Sequence, residues 1–277
     1  YLEKTYLKNP ISPGPGWILM NLFFANKNSY FLLNPFYITL SSFCVYQLNK
    51  SYYDINCYLL LLFSSLSFWE VVGIATDTIG ISCAIFVISF LIYRYWNISF
   101  FVNFLLIFFL GLITTARINL IYLPILLAFP YYKKNKKSFI SLSAMSLFVA
   151  FACHFVFYLE SPNTYHPIHL RKKVGLYFDI YALSFILILL LPVFSVFKDK
   201  YTDISRNFRT LFLGLAIPMW VLSINALRGA NWQGKDWGDP FYYLVFTFPL
   251  FLAWLISMGF FLDLSSDANK SSKLGVP

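Results

Sequence analysis

Charge is what this chain has least of. Only 12% of its 277 residues are Asp, Glu, Lys or Arg, against about 25% in soluble domains. The shortage argues against an ordinary soluble domain. Catalytic signatures are also missing. There is no P-loop, no GxGxxG and no GxSxG, so no motif binds a nucleotide or supplies a nucleophile elbow. A soluble nucleotide-sugar domain is absent as well, so a donor is expected to arrive in the membrane. The four cysteines, Cys44, Cys57, Cys83 and Cys153, form no CxxC pair. They read as small packing residues. The net charge is +9, yet no basic strip interleaved with aromatics resembles a nucleic-acid surface. Nucleic acid is therefore not an expected partner. No signal-peptide pattern opens the chain, which starts at Tyr1. The expectation is a single transmembrane domain over 1–277 whose first helix lies upstream of Tyr1.

What the chain does have is apolar and aromatic mass. It is 59% hydrophobic and 21% aromatic, with a mean hydropathy of +0.66. A membrane span needs about 20 mostly apolar residues. Long apolar runs predict nine spans, over 31–49, 54–73, 77–95, 98–115, 118–131, 138–159, 174–197, 210–227 and 241–261. The segment "PGPGWILMNLFFAN" at 13–26 is apolar but short. It reads as a re-entrant or interfacial helix started by Pro15. The expected fold is thus all-α: a polytopic transmembrane bundle ending in a polar cytoplasmic tail over 262–277. Within 98–131 the polar cluster "GLITTARINL" predicts two helices meeting at a water-facing turn near Arg117, because an arginine at mid-membrane is costly.

Placing residues 1–30 outside and alternating puts 12 basic residues on the inner side and 9 on the outer. "KKNKK" at 133–137 and "KDKYTDISRNFR" at 198–209 then share the inner side, as the positive-inside rule requires. The outer side gathers "FWEVVGIATDT", "TTARIN", "LESPNTYHPIHLRKK" and "RGANWQGKDWGDP". Those outer loops hold the chemistry-bearing residues.

Each candidate there has a plain reading beside a functional one. Glu70 and Asp77 are solvated border charges, or carboxylates that act as a base or hold Mg²⁺ or Mn²⁺. Asp77 also stands where a helix N-cap is expected. Arg117 has no acid in its own segment. It is either an ion pair with a neighbouring helix or an anion clamp, since guanidinium grips phosphate through two parallel hydrogen bonds. Arg228 invites the same two readings, with a helix C-cap the simpler one. His166 and Arg171 in "YHPIHLRKK" suit a phosphate better than a metal, for no Cys or Asp completes a ligand set. His154, near the end of a span, reads as a packed side chain. Trp232 and Trp237 are interfacial anchors, or faces that stack on a sugar whose hydroxyls Asp236 and Asp239 accept.

Four stretches carry a resemblance: "NPISPGPGWILMNLFF", "ATDTIGISCAIFVISFLIYRYW", "FLGLITTARINLIYLPILLAFPYYKK" and "NWQGKDWGDPFYYLVFTFPLF". In order and spacing the chain resembles the C-type (GT-C fold) integral-membrane glycosyltransferases that use polyprenyl-phosphate sugars. The resemblance implies a GT-C-like fold in the cell envelope, in the plasma (inner) membrane if the source is bacterial. It implies transfer of a sugar from a polyprenyl phosphate to a glycan, lipid or protein acceptor on the non-cytoplasmic face. A divalent cation is a possible cofactor of that chemistry. The family usually places its main catalytic Asp in the first outer loop, where this chain has only Glu3. Either that Asp lies upstream of Tyr1 or Glu3 replaces it. The rival classes are a flippase for lipid-linked sugars, an O-antigen ligase or polymerase, and a non-catalytic assembly subunit.

Overall fold

The computed structural model describes residues 14–24, 29–65, 77–117, 120–132, 135–160, 203–229 and 247–259. Along 203–229, side chains are described at 204–217 and at 220. Among the described residues every regular element is a helix and none is a strand. In chain order they are α1 Pro15–Met20, α2 Leu33–Asn49, α3 Tyr52–Ser64, α4 Thr78–Tyr95, α5 Phe100–Thr114, α6 Leu123–Ala128, α7 Lys136–Glu160, α8 Asp203–Gly229 and α9 Phe248–Ser257. Short 3₁₀ turns lie at Leu22–Phe24, Tyr30–Leu32 and Phe129–Tyr131.

Local signals explain the ends. Ser51 caps α3 by accepting from the Asp54 N–H, and Ser99 caps α5 by accepting from the Val102 N–H. The Asn135 side chain does the same for α7 through the Ser138 N–H. Proline at the first position starts α1. The αL conformations of Lys50 and Asn97 close α2 and turn the chain after α4. Lys50 has φ 56°, which lets its N–H reach back to the Tyr46 carbonyl at 2.7 Å.

α4 is the axis of the bundle. It packs against α2, α5 and α9, and it is buried on nearly all sides. A helix that is apolar all round belongs inside other helices. α5 packs on α7, α6 on α7 and α8, and α8 on α9. Phe208 of α8 meets Phe86 and Tyr93 edge-on, while Phe212 touches Phe251 and Trp254 of α9. The buried Tyr58 hydroxyl on α3 donates to Ser41 on α2 at 2.9 Å.

Two described helices are long and apolar enough to cross a membrane, α4 and α7. They differ in what surrounds them. Of the most apolar window, 72% is buried in α4 and 22% in α7. α4 would serve equally well as the core of a soluble protein. α7 would not, because Phe148, Phe151, Phe155 and Leu159 form an exposed apolar row at i, i+3, i+7 and i+11. Phe100, Phe104 and Phe108 make a second exposed row on neighbouring α5. Among the described residues both rows stay exposed, as rows that face lipid tails would be.

Several expected spans come out differently. The run 118–131 is not one continuous α-helix: among its described residues the α-helix is only Leu123–Ala128, about 9 Å long. Pro124 sets its start and Pro130 its end, since Pro130 has no N–H for the carbonyl four residues back. The helix expected over 210–227 starts earlier, at Asp203, and so takes in Arg206 and Arg209 from the stretch read as a loop. No Gly or Pro interrupts 203–213, and an amphipathic first turn continues into the apolar run. The 54–73 segment is helical over Tyr52–Ser64, with 66–76 outside the described residues. The expected span 174–197 and the tail 262–277 also lie outside them.

Candidate functional site

α1 is too short to be stable alone. It is held because two glycines let it lie directly on the C-terminal end of α5. A Cβ on Gly14 would sit 1.6 Å from the Thr115 carbonyl oxygen, and one on Gly16 would sit 2.8 Å from Thr115 Oγ1. That approach lets the Trp17 N–H donate to Thr115 Oγ1 at 3.0 Å. Thr115 in turn donates back to the Leu112 carbonyl at 2.8 Å. Trp17 is thereby buried, with its ring stacked on Tyr37 of α2 at 5.4 Å.

The indole Nε1–H donates to Asp77 Oδ2 at 2.8 Å. The other carboxylate oxygen, Oδ1, accepts from Arg117 Nη2, also at 2.8 Å. Asp77 precedes α4 and Arg117 follows α5. The two are antiparallel neighbours joined by a turn at their far ends, so this end of both helices is shared. Asp77 occupies the N-cap position but makes no side-chain cap bond. Its carboxylate goes to Trp17 and Arg117 instead. The first turn of α4 is satisfied from elsewhere: Asn34 on α2 accepts from the Gly80 N–H at 2.9 Å.

A further pair of bonds backs up Trp17. Asn21 Nδ2 donates to the Trp17 carbonyl at 2.9 Å, and the Tyr37 hydroxyl donates to Asn21 Oδ1 at 2.9 Å. A continuous chain of hydrogen bonds therefore runs from Tyr37 through Asn21, Trp17 and Asp77 to Arg117. Exposure falls off sharply along it. The Arg117 side chain keeps 24% of its surface open, whereas the Asp77 side chain keeps 6%. Tyr30, in the 3₁₀ turn before α2, stands within electrostatic reach of both charges. Burial pushes its phenol up to about 12; the Asp77 carboxylate adds to the rise and the Arg117 guanidinium opposes it. The phenol is thus a hydrogen-bond donor, not a base, at neutral pH.

Of the residues singled out in the sequence, the structure brings Asp77 and Arg117 together across 40 positions. Arg228 falls in the last turn of α8, with its side chain outside the described set. Glu3, Glu70, His166, Arg171, Trp232, Asp236, Trp237 and Asp239 lie outside the described residues. His154 sits half-buried on α7. Sequence reasoning did not find Trp17, Asn21, Tyr30 or Tyr37 as parts of the site. The one signal for Trp17 was "PGPGW", two glycines spaced to bring a backbone against a neighbour.

As a metal ligand Asp77 is a poor fit. Its two oxygens accept from a guanidinium and an indole N–H, and an arginine at 2.8 Å repels a cation. Among the described residues no three His, Cys, Asp or Glu side chains converge. The Arg117 guanidinium, which gives one N–H to Asp77 and keeps 24% of its side chain open, is the group of this cluster that a ligand could reach. Comparison with known protein families, with curated proteins and with solved structures gives no match.

Proposed function

We propose that the chain is a multi-pass membrane protein, with about nine spans in a GT-C-like bundle, that transfers a sugar from a polyprenyl-phosphate donor to an acceptor on the non-cytoplasmic face. The observation that carries this reading is the Arg117 guanidinium, anchored on Asp77 and one-quarter exposed at one end of a helix bundle with apolar outer rows. A polyprenyl chain lies in lipid, and its phosphate lies at the membrane border. In this reading the Arg117 guanidinium meets that phosphate.

In this reading a carboxylate takes the proton from an acceptor hydroxyl. The acceptor oxygen bonds to the sugar's anomeric carbon as the bond from that carbon to the phosphate oxygen breaks. The electron pair leaves on the polyprenyl phosphate, whose added charge the guanidinium stabilises. Asp77 is ill-suited to be the base, since both its oxygens already accept. It orients Arg117, and the base falls to Glu70 or Glu3. Arg228, His166 and Arg171 would supply further phosphate contacts. Trp232, Trp237, Asp236 and Asp239 would form the sugar wall. No step is assigned to a metal.

The test uses the full-length protein in detergent with a labelled polyprenyl-phosphate sugar. Arg117→Lys keeps a cation beside Asp77 but loses the planar fork. Donor affinity should fall while the protein stays folded. Arg117→Ala, compared at equal folded concentration, should lose about 2–5 kcal/mol of donor binding. Normal donor affinity and turnover in both variants would end the proposal.

A further inference from the structure

The arginine does not stand alone at its site. Its partner carboxylate is itself gripped by an indole, and that indole belongs to a six-residue helix held on α5 by close glycine contacts. Trp17 is 2% exposed, so its ring is not placed to touch a ligand. An apolar ring would fill the same space and stack equally well on Tyr37. What tryptophan adds is the N–H.

We propose that Trp17 is a positioning residue for the anion site: its indole N–H fixes the rotation of the Asp77 carboxylate, and through it the direction of the Arg117 guanidinium. The inference rests on the phosphate-binding reading of Arg117 given above. The geometry carries it as follows. With Oδ2 held by the indole at 2.8 Å, Oδ1 is left facing Arg117 at 2.8 Å. The Nη2–H is thereby committed at 2.8 Å, while Nη1–H donates at a longer 3.4 Å to the Ala116 carbonyl, so the short bond to Asp77 dominates the orientation of the planar group. The carboxylate has no cap bond to α4 that would hold it in place of the indole. The indole cannot drift, because the Trp17 backbone is tied at its N–H to Thr115 and at its carbonyl to Asn21. A carboxylate that can swing would let the fork swing too, and a bidentate grip depends on direction more than a point charge does.

The experiment measures binding of farnesyl phosphate to the full chain in detergent, with farnesol and inorganic phosphate as separate controls. Trp17→Phe keeps the ring and deletes the N–H. It should weaken farnesyl phosphate about tenfold, the worth of one charge-assisted hydrogen bond at 1.4 kcal/mol per decade. Farnesol binding should not change, which a general loss of structure would not spare. In an Asp77→Asn background the same substitution should add little, since the group it orients has lost its charge. If Trp17→Phe fails to fold, benzothienylalanine at position 17 replaces it, matching tryptophan in shape without the N–H. Wild-type affinity in the N–H-deficient protein, with Arg117→Lys still weakened, would overturn the positioning role and leave the phosphate site intact. Wild-type affinity in Arg117→Lys and Arg117→Ala would overturn both. Binding of inorganic phosphate alone, equal to that of farnesyl phosphate, would show a free anion as the ligand, with Trp17 judged by the same tenfold effect.

Discussion

Removing either half of the Asp77–Arg117 pair should not cost the same, and the structure says which loss is worse. At an effective dielectric of about 20, two charges about 4 Å apart attract by about 4 kcal/mol. That attraction is shared, but the desolvation behind it is not. Asp77 keeps 6% of its side chain exposed and Arg117 keeps 24%. Arg117→Met leaves a buried carboxylate with only the indole N–H to answer it. Orphaning a buried charge in this way costs about 3–5 kcal/mol. Asp77→Asn leaves an amide whose oxygen can still accept from Trp17, while Arg117 can turn its head toward water at its open edge. That change should cost about 1–2 kcal/mol, near the worth of a charged hydrogen bond. The double variant holds no charge at all and should be more stable than Arg117→Met alone. A second substitution would then rescue the first, a coupling that independent sites do not show.

The assay is thermal unfolding followed by a thiol-reactive dye, for which buried Cys44 and Cys83 are built-in reporters. For chains of roughly this size each kcal/mol moves the midpoint by about 2–4 °C. The two costs differ by about 1–4 kcal/mol, so Arg117→Met should melt about 2–16 °C below Asp77→Asn. If Asp77→Asn melts at or below Arg117→Met, or if the double variant is no more stable than Arg117→Met, the carboxylate is not the buried partner described here.

Other outcomes follow from the same arrangement. Cysteines placed at Asn135 and Gln233 in a cysteine-free background should label from opposite faces with an impermeant thiol reagent; same-face labelling would break the topology. Phe148→Lys, at the centre of the exposed row on α7, should cost about 2.5–3.5 kcal/mol of membrane integration if that row meets lipid. In a soluble protein it would cost nothing and raise solubility. Gly14→Ala drives a methyl against a backbone carbonyl at 1.6 Å, whereas at Gly80 the nearest atoms are side-chain tips at 3.0 Å. The first should lower the melting midpoint far more than the second, which asks only Leu33 and the hydrogen-bonded Asn34 side chain to give by a few tenths of an ångström, by the same thiol assay. The Tyr30 phenol should stay protonated past pH 10. Because its folded value is raised toward 12, its share of stability is complete below pH 10 and is lost as pH rises from there. Tyr30→Phe should remove that alkaline loss, and the phenolate absorbance should show it.

Helix type and order were legible in the sequence because apolar runs of the right length leave few choices. α2, α4 and α5 fall within a few residues of expectation, and capping residues such as Ser51 and Ser99 mark where the backbone needs an acceptor. The break in the helix over 118–131 was missed by counting apolarity without giving weight to Pro124 and Pro130. Apolarity measures affinity for lipid or core, while proline decides whether the hydrogen-bond ladder continues. Asp77 and Arg117 were legible singly, as charges that an apolar chain keeps for a reason. Their pairing was not, because 40 intervening residues carry no record of which helix ends meet. Trp17 was least legible. An aromatic residue in an apolar segment looks like packing, and only the positions of Thr115 and Asp77 turn its N–H into a link between α1 and α4.

The two ends of the bundle differ in a way that bears on orientation more directly than a count of charges. At one end Asn49 donates to the Ile256 carbonyl at 3.0 Å, and Ser138 donates to Asn97 at 3.5 Å. Those bonds bring the end of α2, the end of α9, the α4–α5 turn and the start of α7 to the same level. Lys50, Arg94, Lys136 and Lys137 therefore share that end, all exposed. α8 begins there too, since Phe208 meets the second half of α4, which brings Arg206 and Arg209 with it. At the other end the described charges closest to α4 are Asp77 and Arg117, and they neutralise one another. Among the described residues the basic end and the Asp77–Arg117 pair are separated by α4 at about 27 Å, and Glu160 closes α7 on the side of the pair. The basic end suits the cytoplasmic side of a membrane. With that end on the cytoplasmic side, the Asp77–Arg117 pair would lie on the opposite face, the side to which the proposed function assigns the donor phosphate.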